Sequence, residues 1–180
     1  MLKDYLEEKD ISLYYISKKT NISYSTINYI ANNRISIKKT SLENAMKIAN
    51  CLNVTIEELC DICESYTLQD FENFKSNVCH EVKDKGPIEF IKEIITSTRI
   101  EDKWKICRRQ EALYLLAMVD YLCRLAELPQ CTKYADYRRY KLEPVMYPLS
   151  YVMTETKFDL TPIPEFEMHG IMEGDIFNVC

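Results

Sequence analysis

Apolar residues recur along this chain at helical spacing far more often than they alternate. Leu2 and Leu6, with polar residues between them, predict a first helix. Leu13 to Lys19 predict a second, and Ser23 to Ala31 a third, with Ser23 placed to cap its start. Thr40 with Glu43, and Thr55 with Glu58, fit the S/T-x-x-E capping box, so two more helices should begin there. Leu42, Ala45, Ile48, Ala49 and Leu52 form an inward stripe on the fourth helix, and Ile56, Leu59 and Cys63 another on the fifth.

The character changes around Ser65 to Thr67. FENFKSNVCHEVKD predicts an amphipathic helix with Phe71, Phe74, Val78 and Val82 on one side, stopped by Gly86-Pro87, after which IEFIKEIITS begins the next. IEDKWKICRRQEALYLLAMVDYLCRLAEL is the most helix-favouring and most apolar stretch, ending at Leu128-Pro129, and predicts a central helix or helix pair. Past Pro144 the periodicity dissolves. Pro148, Pro162 and Pro164 predict an extended tail with one short hairpin. The expected fold is all-α, with a five-helix domain over residues 1–66 and a second, mostly helical domain over 67–180 whose acidic tail covers about 145–180.

Composition agrees with this reading. A chain of 180 residues that is 47% hydrophobic and 28% charged, with only three Gly and six Pro, is an ordinary globular composition. The apolar run from Ala112 to Val119 is too short to span a bilayer, so no membrane segment is expected. The charged opening MLKDYLEEKD lacks the apolar core of a signal peptide and points to the cytoplasm, where the eight Cys would stay reduced.

A net charge of −5 argues by itself against a nucleic-acid binder, but its distribution argues the other way. Between Ile11 and Leu42 stand five basic residues, Lys18, Lys19, Arg34, Lys38 and Lys39, and no acid; Glu155 to Asp175 carries six acids against one Lys. A polyanion meets the local stripe, because charges beyond a Debye length of roughly 8–10 Å are screened. Within that stripe lies NISYSTINYIANNR. Its Ile22, Ile27 and Ile30 face inward, and Tyr24, Ser25, Asn28 and Tyr29 project from the opposite face. Such side chains can exchange hydrogen bonds with base edges or lie against a thymine methyl. Lys18, Lys19, Asn32, Arg34, Lys38 and Lys39 flank that helix where phosphates would run. Asn21, in the turn before it, occupies a position that needs a positive φ.

The stretch ISLYYISKKTNISYSTINYIANNR, followed by TSLENAMKIANCLNVTIEEL, resembles the helix-turn-helix of the XRE family, the Cro and CI type repressor fold, with all five helices in order. The resemblance covers the first third of the chain. It departs at Leu13, where the family usually has a phosphate-contacting Gln, and at Ser17, where it favours Ala. It implies a sequence-specific DNA-binding regulator, a repressor that binds double-stranded DNA at a palindromic operator as a homodimer. The alternative is an antitoxin-type protein whose second domain neutralises a partner toxin through residues 67–180.

Four features of the remaining chain invite other readings. Leu113, Leu116, Ala117, Val119, Tyr121 and Leu125 wrap more than half of a helix, which suits a bundle centre or a dimer seam. Cys60, Cys63, Cys79 and His80 could be drawn as a zinc site, but their spacing on helices favours buried thiols, and no metal or cofactor is expected. His169 with Glu165, Glu167, Glu173 and Asp175 lacks a nearby nucleophile and reads as a solvated acidic tail rather than an enzyme site. In KYADYRRYKL, Tyr134, Tyr137 and Tyr140 among Arg138, Arg139 and Lys141 read as one face of a core helix in preference to a second nucleic-acid surface.

Overall fold

A computed structural model describes residues 1–154, 161–174 and 176. The chain divides into two compact units, Met1–Tyr66 and Thr67–Cys180. The first consists of α1 (Leu2–Glu8), α2 (Leu13–Thr20), α3 (Tyr24–Ala31), a 3₁₀ turn at Ile37–Lys39, α4 (Leu42–Leu52) and α5 (Ile56–Cys63). Its core is aliphatic: Leu2, Leu6, Ile16, Ile27, Ile30, Ile48 and Leu59 are all buried. Each such side chain contributes about 1.5–3 kcal/mol by leaving water. With few Gly available, Asn takes the left-handed corners. Asn21 ends α2 at φ 57°, Asn33 follows α3 at φ 54°, and Asn53 ends α4 at φ 54°, each tolerated because Asn is the non-Gly residue least penalised there.

The Thr55–Glu58 capping box forms in both directions. The box predicted at Thr40 and Glu43 does not. Ser41 is the cap of α4, its hydroxyl accepting from Asn44 N, while Thr40 ends the preceding 3₁₀ turn by donating to Ile37 O. That turn spends Thr40 one residue too early to cap the helix.

The second unit contains α6 (Leu68–Lys85), α7 (Pro87–Thr96), α8 (Arg99–Lys105), α9 (Arg109–Leu125), 3₁₀ turns at Thr132–Tyr134 and Tyr137–Arg139, α10 (Leu149–Thr154) and α11 (Pro164–Glu167). α9 is its axis, packed by α6, α7, α8 and α11. Every residue from Glu111 to Asp120 is buried. The apolar faces from Leu113 to Leu122 are therefore consumed inside the unit, and Leu125, 53% exposed, is the large apolar residue of α9 left to solvent. Phe71, Val78 and Val82 of α6 are buried as predicted, with Phe74 half-buried.

The described part of the C-terminal segment is largely irregular, and part of it is buried in the unit. Phe166, His169, Ile171 and Ile176 are buried, and Phe166 packs 5.0 Å from the Tyr114 ring. Among the described residues of the tail, where a hairpin was expected, there is one parallel bridge, Met146 to Ile171, held by Met146 N to Gly170 O and Met172 N to Met146 O, both 2.8 Å. Gly170 is required there: at φ +75° a Cβ would stand 2.7 Å from Leu142 O. Asp175 and the acidic residues within 155–160 lie outside the described residues.

Charge is buried in pairs. Lys75 Nζ meets Glu72 at 3.0 Å and Glu173 at 2.9 Å, Lys103 meets Glu111 at 2.5 Å, and Arg138 grips Asp120 through Nε at 2.7 Å and Nη2 at 2.8 Å. Burial raises the Glu173 pKa above its ordinary value against the opposing pull of Lys75.

Candidate nucleic-acid interface

α2 and α3 are held across a three-residue turn by a small set of hydroxyls. Ser12 caps α2 by accepting from Tyr15 N, and Ser23 caps α3 by accepting from Thr26 N at 3.2 Å. Thr20 Oγ1 donates to Ile16 O and accepts from Ile22 N, which ties the end of α2 to the turn. Ser17 donates to Ile22 O at 2.7 Å, so its hydroxyl has a place in the turn. The inner face of α3, Ile27, Ile30 and Ala31, is buried, and that fixes which face remains outside.

On the outer face Tyr24 is 52% and Tyr29 41% exposed. Ser25 is exposed and its hydroxyl bonds the Ser23 cap at 3.0 Å; Asn28 is half-buried. Asn32, the C-cap, is exposed, and its side-chain amide bonds both the carbonyl oxygen and the side-chain oxygen of Asn28. Asn33 then reverses the chain, so that Arg34 N donates to Tyr29 O at 2.8 Å and the Arg34 guanidinium stands over the Tyr29 ring at 5.9 Å.

Lys18, Lys19 and Lys39 are exposed. Lys18 lies over the Tyr14 ring. Lys38 forms an ion pair with Glu64, whose hydrogen bond and charge raise the pKa of this exposed ammonium. A phosphate would have to displace that carboxylate, which an exposed pair, contributing about 0–1 kcal/mol, permits. Neither α2 nor α3 carries an acid in its first turn, unlike α4, α5 and α6, so their positive helix ends are uncompensated by carboxylates.

Sequence reasoning left Tyr14 and Tyr15 unassigned. They stand 62% and 50% exposed on α2, and their phase relative to buried Ile16 was the available signal. The other candidates resolve differently. Cys60 is half-buried and Cys63 buried on α5, where burial pushes the Cys63 thiol up to about 12. Cys79 is buried 3.6 Å from the Tyr114 hydroxyl, and His80 is exposed. Among the described residues no group of His, Cys, Asp or Glu is placed to hold a metal ion. His169, expected in solvent, is buried with Nδ1 on Tyr140 O at 2.8 Å. Glu165 pairs with Arg124, Glu173 with Lys75, and Glu167 is exposed.

The tyrosines of KYADYRRYKL do not share one face of a single helix, since Tyr134 and Tyr137 lie in separate 3₁₀ turns and Tyr140 follows the second. They stack around Trp104: Tyr137 lies parallel to it at 4.4 Å, Tyr134 stacks on Tyr137, and Tyr140 meets Trp104 edge-on. Arg109 lies 4.0 Å from the Trp104 centroid and Lys133 caps the Tyr134 ring at 4.9 Å. The half-buried indole thus packs against Arg109 as well as Tyr137 in one cation–aromatic cluster.

No helix among the described residues is long and apolar enough to cross a membrane. The helix-turn-helix family model matches residues 2–59, the span that holds α1 to α4 and the start of α5. No curated protein and no solved structure matches the chain.

Proposed function

Residues 2–59 are a helix-turn-helix domain of the XRE family, and from that premise we propose that the protein is a transcriptional repressor that reads a palindromic operator as a homodimer. The observation that carries the reading is α3 itself: capped at Ser23, anchored by buried Ile27 and Ile30, and presenting Tyr24, Ser25, Asn28 and Tyr29 outward in a stretch without acids. In the major groove these four read base edges. Lys18, Lys19, Arg34 and Lys39 hold phosphates on either side, with Lys38 joining once it leaves Glu64.

Dimerisation follows from area. One domain of this kind buries roughly 600–1,000 Å² of protein surface on DNA, which two linked copies double across half-sites one helical turn apart. The link belongs to residues 67–180. There α9 contributes Leu125 rather than its buried length, beside exposed Ile88 and a groove of about 410 Å³ walled by α6, α7 and α9. A second copy is the occupant that two-fold operator reading demands. Sedimentation of the full chain, alone and with Leu125→Glu, tests the assembly; a wild-type monomer removes the dimer from the account, and an unchanged Leu125→Glu dimer moves the seam. Selection of bound duplexes from a random library tests the operator: two inverted half-sites support the reading, and a single unrepeated motif contradicts it.

A further inference from the structure

The chain leaving α9 turns back along it. Glu127 takes φ 54°, Leu128 N donates to Cys123 O at 2.8 Å, and the returning segment is pinned where Gln130 Nε2 donates to Asp120 Oδ2 at 2.9 Å. Arg138, further along that segment, grips the same carboxylate. Asp120 and Cys123 stand three residues apart on α9, so they share a face of the helix. Cys131 directly follows Gln130. The return thus carries Cys131 past the face that holds Cys123, and the two thiols interact electrostatically with each other and with Arg138.

The pair differs in access. Cys123 is 3% exposed and Cys131 half-buried, and both are free thiols. Burial, reinforced by Asp120 and Cys131, holds the Cys123 thiol above its ordinary pKa against the Arg138 charge. An oxidant therefore meets Cys131 first. Cys131 has extended backbone, φ −68° and ψ 128°, ahead of the 3₁₀ turn, so it can approach α9 without breaking a helix. Cys60 and Cys63 lack that freedom. Both are fixed in α5, where side chains three apart hold their Cβ atoms about 5–6 Å from each other, against the roughly 3.5–4.5 Å of a disulfide.

We propose that Cys123 and Cys131 form a disulfide switch at the end of α9, closed by a hydroperoxide. The Cys131 thiolate attacks one oxygen of hydrogen peroxide, the O–O bond breaks, and the departing hydroxide takes up a proton to become water. Cys131 is then a sulfenic acid. The Cys123 sulfur attacks it, the S–O bond breaks, and the hydroxyl leaves with the Cys123 proton as a second water. Two thiols are oxidised to one disulfide, and one peroxide is reduced to two waters. The bridge closes a loop that contains Leu125 and Ala126, which with Leu122 wall the groove of α6, α7 and α9. Closing it moves that wall. On the reading of the groove as the seam between copies, oxidation shifts the chain from dimer toward monomer.

The test uses the full chain, reduced, freed of reductant, treated with hydrogen peroxide, alkylated and digested with trypsin, which cuts after Arg124 and so separates the two cysteines. The expected product is a pair of peptides joined through Cys123 and Cys131 and released by dithiothreitol. Cys131→Ser should lose it, and Cys123→Ser should leave Cys131 as a sulfenic acid that dimedone traps. Circular dichroism checks the buried Cys123→Ser variant, and the Cys131→Ser result stands without it.

Both cysteines alkylated after peroxide, or Cys131 joined to another cysteine, would overturn the proposal. Sedimentation of the oxidised and reduced chains then reads the assembly. A shift toward monomer that Cys131→Ser abolishes supports the switch, and a bridged chain that stays dimeric removes its effect on the seam. A reduced chain that is already monomeric fails the seam reading instead, while the peptide map still decides the disulfide.

Discussion

Asp120 is the buried charge on which the second unit depends most visibly. It sits on α9 and accepts from Arg138 Nε at 2.7 Å, Arg138 Nη2 at 2.8 Å and Gln130 Nε2 at 2.9 Å. The Asp120 side chain is 2% exposed and that of Arg138 10%. Asp120→Ala removes the acceptor of all three bonds and leaves a mostly buried guanidinium without its partner. Breaking a buried pair from one side costs about 3–5 kcal/mol, a large share of the roughly 5–15 kcal/mol that holds an ordinary domain together. Replacing both ends by apolar residues of similar size, Asp120→Leu with Arg138→Met, should cost less than the single change, because no charge is stranded. Trp104 is the single tryptophan and stacks on Tyr137, the neighbour of Arg138, so its fluorescence follows this unit. With a urea slope of about 1–3 kcal/mol per molar, the Asp120→Ala midpoint should fall by at least about 1 M. A shift worth less than about 1 kcal/mol, or a double variant worse than the single, would show that the pair is not the keystone the geometry implies.

Other outcomes follow from the same structure. Ser23→Ala removes the cap of α3 and should destabilise the first unit by about 1 kcal/mol, read from the helical signal on thermal melting. Burial holds the His169 imidazole below its ordinary value of 6.5, so the unfolded chain takes up the proton first. His169 therefore contributes stability that is present above pH 6.5 and lost as pH falls toward its lower folded value. Urea midpoints from Trp104 should drop over that interval in wild type and less in His169→Gln. Lys39→Ala should weaken all duplexes alike and reduce the slope of log affinity against log salt by about 0.9, where a base-specific loss would contradict its place on the backbone.

Local chemistry was readable from the chain and distant packing was not. Ser23, Asn21 and the Thr55–Glu58 pair announce themselves because a cap or a left-handed corner involves residues one to three apart. The Thr40 box failed by one residue because two hydroxyls in succession competed for one helix start, and the 3₁₀ turn decided between them. The exposed face of α3 was legible from its isoleucines, but the direction of the Asn28 amide depends on an angle that spacing does not carry. Burial of Phe166, His169 and Glu173 was hidden for a different reason. Their partners lie far upstream, Glu173 pairing with Lys75 across 98 positions, and a Pro-rich stretch with isolated apolar residues has no periodicity to betray its inner side. The two-faced apolar pattern of α9 was ambiguous between core and seam until α6, α7, α8 and α11 were seen to cover it.

We propose that the face of α3 opposite Ile27 and Ile30 reads bases. The most direct test of this reading is a pair of anisotropy titrations of the full chain, one against its library-selected duplex and one against a scrambled duplex, for wild type and for Tyr24→Ala with Asn28→Ala. Wild type should bind the selected duplex at least about a thousandfold more tightly than the scrambled one, and the double variant should lose most of that ratio while keeping its affinity for scrambled DNA. An unchanged ratio in the double variant would contradict the account, because the specificity would then come from a surface other than the outer face of α3.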